Sequence, residues 1–214
     1  MPRRPLDIFR RCGFLALPVL ILGSAACSRE DRMNVVLVTL DTTRADFLGA
    51  YGRSGNPTPN FDAVAVEGTR FDLAISTAAV TPVSHASILT GLDNGKHGLR
   101  VLSAKSGFRL RPDVPTLATV LHEHGYRTGA VHSAFPVSST FGFQNGFDVF
   151  ESVEGELRGE GMHRTWDVAK FQRRSDETTR IALDFVKAAK EPFFLWIHYW
   201  DPHDGVQVPP KELL

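Results

Sequence analysis

Apolar and polar positions along the chain fall into two alternating rhythms. NVVLVTLD (34–41) is an almost unbroken apolar run rich in β-branched residues that ends on an acid, which predicts a strand buried on both faces of a parallel sheet. TPNFDAVAVEG (58–68) predicts a helix with Thr58 as its cap, Pro59 at the first helical position and Gly68 closing it. TRFDLAISTA (69–78) reads as the next strand. TPVSHASILTG (81–91) reads as a short helix with Thr81 at its cap and a Thr-Gly stop.

Farther on, PTLATVLHEHGY (115–126) predicts a helix with Leu117, Val120 and Leu121 on one face, and RTGAVHSA (127–134) a strand. SDETTRIALDFVKAAK (175–190) places Ile181, Phe185 and Ala189 at helical spacing, with Asp176 and Glu177 in the first turn and Lys187 and Lys190 in the last, as the helix dipole favours. PFFLWIHYWDPH (192–203) is a buried strand running into a polar cluster. The alternation gives an α/β fold with a mostly parallel sheet flanked by helices.

Three polar clusters fall at strand ends or at a helix start: Asp41 to Asp46, Thr81 to His85, and His198 to His203. A parallel sheet gathers such ends on one edge, where ligands bind in open α/β folds. Asp41 is there a candidate oxygen ligand for a divalent cation, or else a cap for the DTTRAD turn paired with Arg44. Thr81 is a cap by residue type, yet a hydroxyl at a helix N-terminus also lies where an oxyanion is favoured, and a bound cation could activate it for attack. His85, four residues on, lies on the same side of the helix and could donate to the nucleophile or to a substrate oxygen. His198, Asp201 and His203, within six residues after an apolar run, could hold a metal, a leaving group, or both. His97, His122, His124 and His132 lack such company and read as structural.

With 43% hydrophobic and 22% charged residues, the 214-residue chain has material for one sizeable core. Lys+Arg and Asp+Glu are equal at 24 each, so no basic field exists to hold nucleic acid. Residues 1–27 look like an export signal: arginines at 3, 4, 10 and 11, an apolar run from Phe14 to Leu22, then Ser24-Ala25-Ala26-Cys27. The run is shorter than the roughly 20 residues that cross a bilayer. The expectation is an exported protein, periplasmic or at the outer surface, touching membrane only through a lipid on Cys27. Cys12 and Cys27 are the two cysteines, so the mature domain carries neither a disulfide nor a thiol catalyst.

NVVLVTLDTTRAD, TPNFDAVAVEG, VTPVSHASILTG, LHEHGYRTGAVHSA, GFDVF and PFFLWIHYWDPH, in this order, resemble the N-terminal half of the sulfatase family within the alkaline phosphatase superfamily. The resemblance implies that residues 33–214 are the N-terminal part of a sulfatase-like domain, truncated at its C-terminal side. It also implies a divalent metal (calcium, zinc or manganese left open) at the carboxyl edge of the sheet, and displacement at sulfur or phosphorus through a covalent intermediate. In this correspondence the nucleophile position falls on Thr81, that of the motif's arginine on His85 and the first metal aspartate on Asp41. His203 falls near the histidine that contacts the ester, and His198 has no counterpart. The metal set carried forward is Asp41, Thr81 and Asp201, with His198 and His203 on a small-molecule, lipid or glycan ester.

Three departures stand out. Threonine does not follow the cysteine or serine route to formylglycine, which points toward the Thr-nucleophile phosphodiesterases and phosphotransferases of the superfamily. Thr42 stands where a second metal aspartate is common, and VHSAFPV replaces the usual lysine and histidine stretch. The alternative left open is a non-catalytic exported remnant that binds or scaffolds.

Overall fold

The first strand, β1 (Val35–Leu40), forms where the apolar run predicts it, and hydrogen-bonds in parallel to β6 (Phe193–Tyr199). The computed structural model describes residues 32–55, 57–100, 109–153, 157–158, 165–166, 172–190 and 192–203. The leader with Cys27, and the closing VPPKELL, lie outside the described residues. β6 pairs on its other side with β2 (Arg127–His132), which pairs with β3 (Val149–Glu151), giving an all-parallel sheet in the order β1-β6-β2-β3. A two-residue antiparallel pair, β4 (Leu157–Arg158) with β5 (Thr165–Trp166), stands apart from it. The last strand in sequence thus sits between the first two, and every strand of the large sheet ends on the same edge.

Period-two alternation sends residues to two cores. On one face Ala130, Phe194 and Trp196 pack with Val83, Ala86 and Leu89 of α2 (Thr81–Thr90) and Ala118 of α4 (Leu117–Glu123). On the other, Val131, Phe193 and Leu195 pack with Ala182 and Phe185 of α5 (Ser175–Ala188), and Ile181, Ala189 and Ile197 join them. Gly129 of β2 is required there: a Cβ on it would lie 2.5 Å from Cε2 of Phe185, so the ring rests on bare backbone. α1 (Pro59–Glu67) and the one-turn α3 (Asn94–His97) complete the helices. Among the described residues no helix is long and apolar enough to cross a membrane.

The structure corrects the sequence reading at four places. β1 is covered on one face only, because α5 lies over β2 and β6 and leaves Val36 and Val38 about half exposed. Residues 69–78 form no strand: Phe71, Leu73 and Ile75 stand largely in solvent, and no described strand offers them a ladder. On α4 the inward residues are Ala118 and, in part, Leu121, whereas Leu117 and Val120 face outward. Helix α2 begins one residue early, with extended Val80 at its cap, because the Val80 carbonyl accepts from the N–H groups of Val83 and Ser84. Thr81 is therefore the first helical residue and its side chain caps nothing. Gly91 ends α2 in the left-handed region, as the Thr-Gly stop predicts.

Candidate active site

Parallel register sets the site. Thr39, His198 and His132 lie side by side across β1, β6 and β2, and share a face with Trp196, two residues before His198. Asp41 follows immediately after β1, its N–H bonded to the Tyr199 carbonyl at 2.9 Å. Helix α2 crosses the same face and brings in His85, whose ring meets that of His198 edge-on with centroids 4.9 Å apart. Asp41, His85 and His198 are all buried, and one ligand atom from each lies within 4.8 Å of the others. The Asp41 Oδ2 to His198 Nε2 distance is 3.2 Å.

The hydrogen bonds fix what each group can do. His85 Nδ1 lies 2.8 Å from the carbonyl oxygen of Thr81, one helical turn back. A carbonyl only accepts, so Nδ1 carries the proton and Nε2 presents a lone pair. That Nε2 is buried and has no partner. An orphaned buried acceptor costs about 1–3 kcal/mol, which marks a place where something else belongs. Burial and the neighbouring His198 lower the His85 pKa to about 4, so the ring is neutral at ordinary pH. For Asp41, burial pushes the carboxyl up. The hydrogen bond and charge of His198 outweigh it, His85 and the Thr81 hydroxyl add to the effect, and the group lies below its ordinary range, ionised.

The Thr81 hydroxyl is among the groups that hold the Asp41 carboxyl below its ordinary range. The opening of α2 offers few free donors to an anion, since Pro82 has no N–H and the Val83 N–H is spent on Val80. Arg44 binds Asp46 rather than Asp41, with contacts of 3.0 and 2.6 Å, so the reading of Asp41 as a partner of Arg44 falls away. Asp201 is also placed elsewhere: its Oδ1 accepts the Ser175 N–H at 3.0 Å and holds the start of α5. His203 stacks on Trp200 with ring centroids 3.9 Å apart. Neither belongs to the Asp41–His85–His198 group.

His132 is the neighbour that sequence reasoning set aside. Fully buried beside Phe150 and Trp196, it has no partner for either ring nitrogen. A signal was present: GAVH and LWIH both close an apolar strand on histidine, which puts two imidazoles at the same sheet edge once the strands are neighbours. Ser133 then ties β2 to β6, its hydroxyl donating to the His198 carbonyl at 3.0 Å and accepting the Trp200 N–H at 2.7 Å. The other three histidines have local partners: His97 with Ser87, His122 with Asp148, His124 with the Val120 carbonyl.

Comparison with known proteins agrees with this architecture. The sulfatase family model matches residues 33–212. The chain is 25% identical over 212 residues to the N-acetylglucosamine-6-O-sulfatase of Bacteroides thetaiotaomicron, covering 93% of this chain and 37% of that protein. Among solved structures it superposes, with TM-score 0.62 and 23% identity, on one in complex with its substrate D-glucosamine-2-N,6-O-disulfate, over 82% of this chain and 36% of the other. A phosphonate monoester hydrolase of Agrobacterium radiobacter gives TM-score 0.64 at 19% identity, over 85% of this chain and 43% of that one. These structural likenesses speak for the fold.

Proposed function

The chain belongs to the sulfatase family, and from that premise we propose that it forms the nucleophile-bearing part of a metal-dependent hydrolase of sulfate esters on sugars. The carrying observation is the buried Asp41–His85–His198 group, at the opening of the helix that bears Thr81. Sugar sulfates are favoured because the relative named above is an N-acetylglucosamine sulfatase and a structural neighbour holds a sulfated glucosamine.

The donor set fits a divalent cation, since an ionised buried carboxylate and an orphaned imidazole lone pair are what such an ion requires. When bound there, the cation supplies positive charge that favours ionisation of the Thr81 hydroxyl and balances the transferred group. The chain's own residues do the rest. Asp41, ionised, brings a negative carboxylate to the cation site, with Thr81 among the groups that lower its pKa. His85, its Nδ1–H held by the Thr81 carbonyl one turn back, offers its Nε2 lone pair to the cation beside Thr81. A bond from Thr81 Oγ1 to sulfur forms as the bond from sulfur to the ester oxygen breaks, and the sugar hydroxyl leaves with a proton. Water attacks sulfur in the second half and frees Thr81 and sulfate. His203 is read as a contact to the ester.

Thr81 itself favours a second substrate class. An alkoxide nucleophile transfers phosphoryl groups by the same in-line displacement, and a phosphonate monoester hydrolase shares the fold. The chain spans 37% of the glucosamine sulfatase it matches, so the assay belongs on the product of the complete reading frame. Sulfated glucosamines, aryl sulfates and phosphate mono- and diesters are offered to wild type and to Thr81→Ala. The expectation is turnover of at least one class, falling by a factor of about 10³ or more in the variant. Unchanged turnover in Thr81→Ala overturns the mechanism. We also read residues 1–27 as an export leader with a lipid on Cys27; a mature protein that begins at Cys27 with added acyl mass is the expected result.

A further inference from the structure

We propose that Ser133 is a positioning residue for His203: its buried hydroxyl fixes the start of the Trp200–His203 turn and so sets where the imidazole assigned to the ester stands. The inference rests on the functional reading above, in which His203 contacts the ester.

The need for a hydroxyl follows from the ladder. β2 and β6 run in parallel with His132 beside His198, and the Ser133 N–H donates to the His198 carbonyl at 3.1 Å. Parallel pairing continued by one step would bring the Trp200 N–H to the Ser133 carbonyl. That carbonyl is already taken, because it accepts the Arg173 N–H at 2.7 Å, next to the bridge between Ala134 and Gln172. The Ser133 hydroxyl stands in for it and accepts the Trp200 N–H at 2.7 Å. Since an N–H only donates, the hydroxyl proton goes to its other neighbour, the His198 carbonyl, at 3.0 Å. Ser133 is 0% exposed, and its N–H, carbonyl and hydroxyl are all committed to protein partners.

Trp200 in turn holds His203 twice. Its carbonyl accepts the His203 N–H at 2.8 Å, which closes the turn, and its ring stacks on the imidazole with centroids 3.9 Å apart and planes 11° from parallel. A displacement of Trp200 is therefore carried to His203. His198, by contrast, keeps the Ser133 backbone N–H when the hydroxyl is removed. Loss of the hydroxyl thus spares the Asp41–His85–His198 group and leaves the Trp200 N–H without its partner. Misplacement of a contacting group by about 1 Å costs on the order of 100-fold in rate, so a turn only slightly loosened is enough to be seen.

The test uses the product of the complete reading frame, with its histidine rings labelled with ¹³C, and the ester that wild type turns over best. The ring protons of His203, assigned by His203→Ala, should lie upfield in wild type because the ring sits over the face of an indole. In Ser133→Ala that upfield shift should shrink and kcat/KM should fall ~10–100-fold, chiefly through KM. Ser133→Thr, which keeps a hydroxyl, should restore both at least in part, and Ser133→Cys, close in size but a weaker acceptor, should fall between wild type and Ser133→Ala. Thr179→Val removes the partner of the Tyr199 hydroxyl on the α5 side of β6 and should change neither. An unmoved His203 signal in Ser133→Ala, or an equal loss of kcat/KM in Thr179→Val, overturns the proposal. If Ser133→Ala loses the stack while His203→Ala turns over normally, the ester role of His203 falls, and with it that of Ser133. If His203→Ala loses turnover while Ser133→Ala keeps both stack and turnover, the role of Ser133 alone falls and the functional reading stands.

Discussion

Thr42 carries a β-branched side chain at φ 51°, the single non-glycine residue with positive φ among the described residues. That conformation places Cβ against the following carbonyl, at a cost of roughly 1–2 kcal/mol. The strain lies in the turn that directs Asp41 into the site, immediately after the strand whose end it follows, and strained backbone of this kind gathers at functional positions. Thr42→Asn relieves most of it, because asparagine tolerates the left-handed region without glycine's extra chain entropy. The exposed side chain makes the change clean, and chemical denaturation of the variant should show a gain of about 0.5–1 kcal/mol. A loss in stability would mean that the Thr42 methyl or hydroxyl supports the turn more than its backbone strains it. The residue scale also marks the limits of the sequence. Asp41, Thr81, His85 and His198 are legible as candidates because each stands at the end of an apolar run or at a helix start. The ring nitrogen that bears each proton is not legible, since it depends on which carbonyl or carboxylate the fold presents.

Elements were legible where signals within the segment suffice. β2, β6, α1 and α5 follow from apolar period, proline and glycine placement, and end charges, and they appear within a residue or two of prediction. The 69–78 segment shows the opposite case: strand-forming residues are not enough when no neighbouring strand completes the hydrogen bonds. The strand order was illegible too, because periodicity cannot say that β6 inserts between β1 and β2, and that insertion makes His198 a neighbour of both Asp41 and His132. Packing of α5 onto the sheet depends on Gly129, where Phe185 approaches too closely for any side chain. Gly129→Ala should cost about 1–3 kcal/mol through overpacking. Phe185→Leu in the same chain should recover part of that loss, since the obstructing atoms are those at the far side of the ring. Independent, additive effects of the two substitutions in denaturant unfolding would refute the contact.

For the whole molecule, the dominant electrostatic fact is a set of imidazoles held neutral at the junction of sheet and helix. Burial, together with the charges of His198 and Arg173, pushes the pKa of His132 well below its ordinary 6.5, and burial with His198 lowers His85 to about 4. Above pH 6.5 both rings are neutral in folded and unfolded chains alike, and neither makes stability depend on pH. Below it the unfolded chain binds protons that the folded chain refuses, so stability falls as pH falls, by up to about 1.4 kcal/mol per pH unit for each ring. Asp41 works in the same direction at lower pH, because its folded pKa lies beneath the unfolded value and its stabilising charge is lost on acidification. A domain with about 5–15 kcal/mol in hand cannot sustain such a slope far below pH 5. In chelator, so that no metal competes for the rings, the melting temperature should hold above pH 7 and drop steadily between pH 6.5 and 4. His132→Phe, placed among Phe150 and Trp196, keeps an aromatic ring and removes one of the two titrations, so the acid slope should diminish by about one proton's worth. An unchanged slope in that variant would show that His132 takes up its proton in the folded chain, and that the sheet edge is open enough to water to let it.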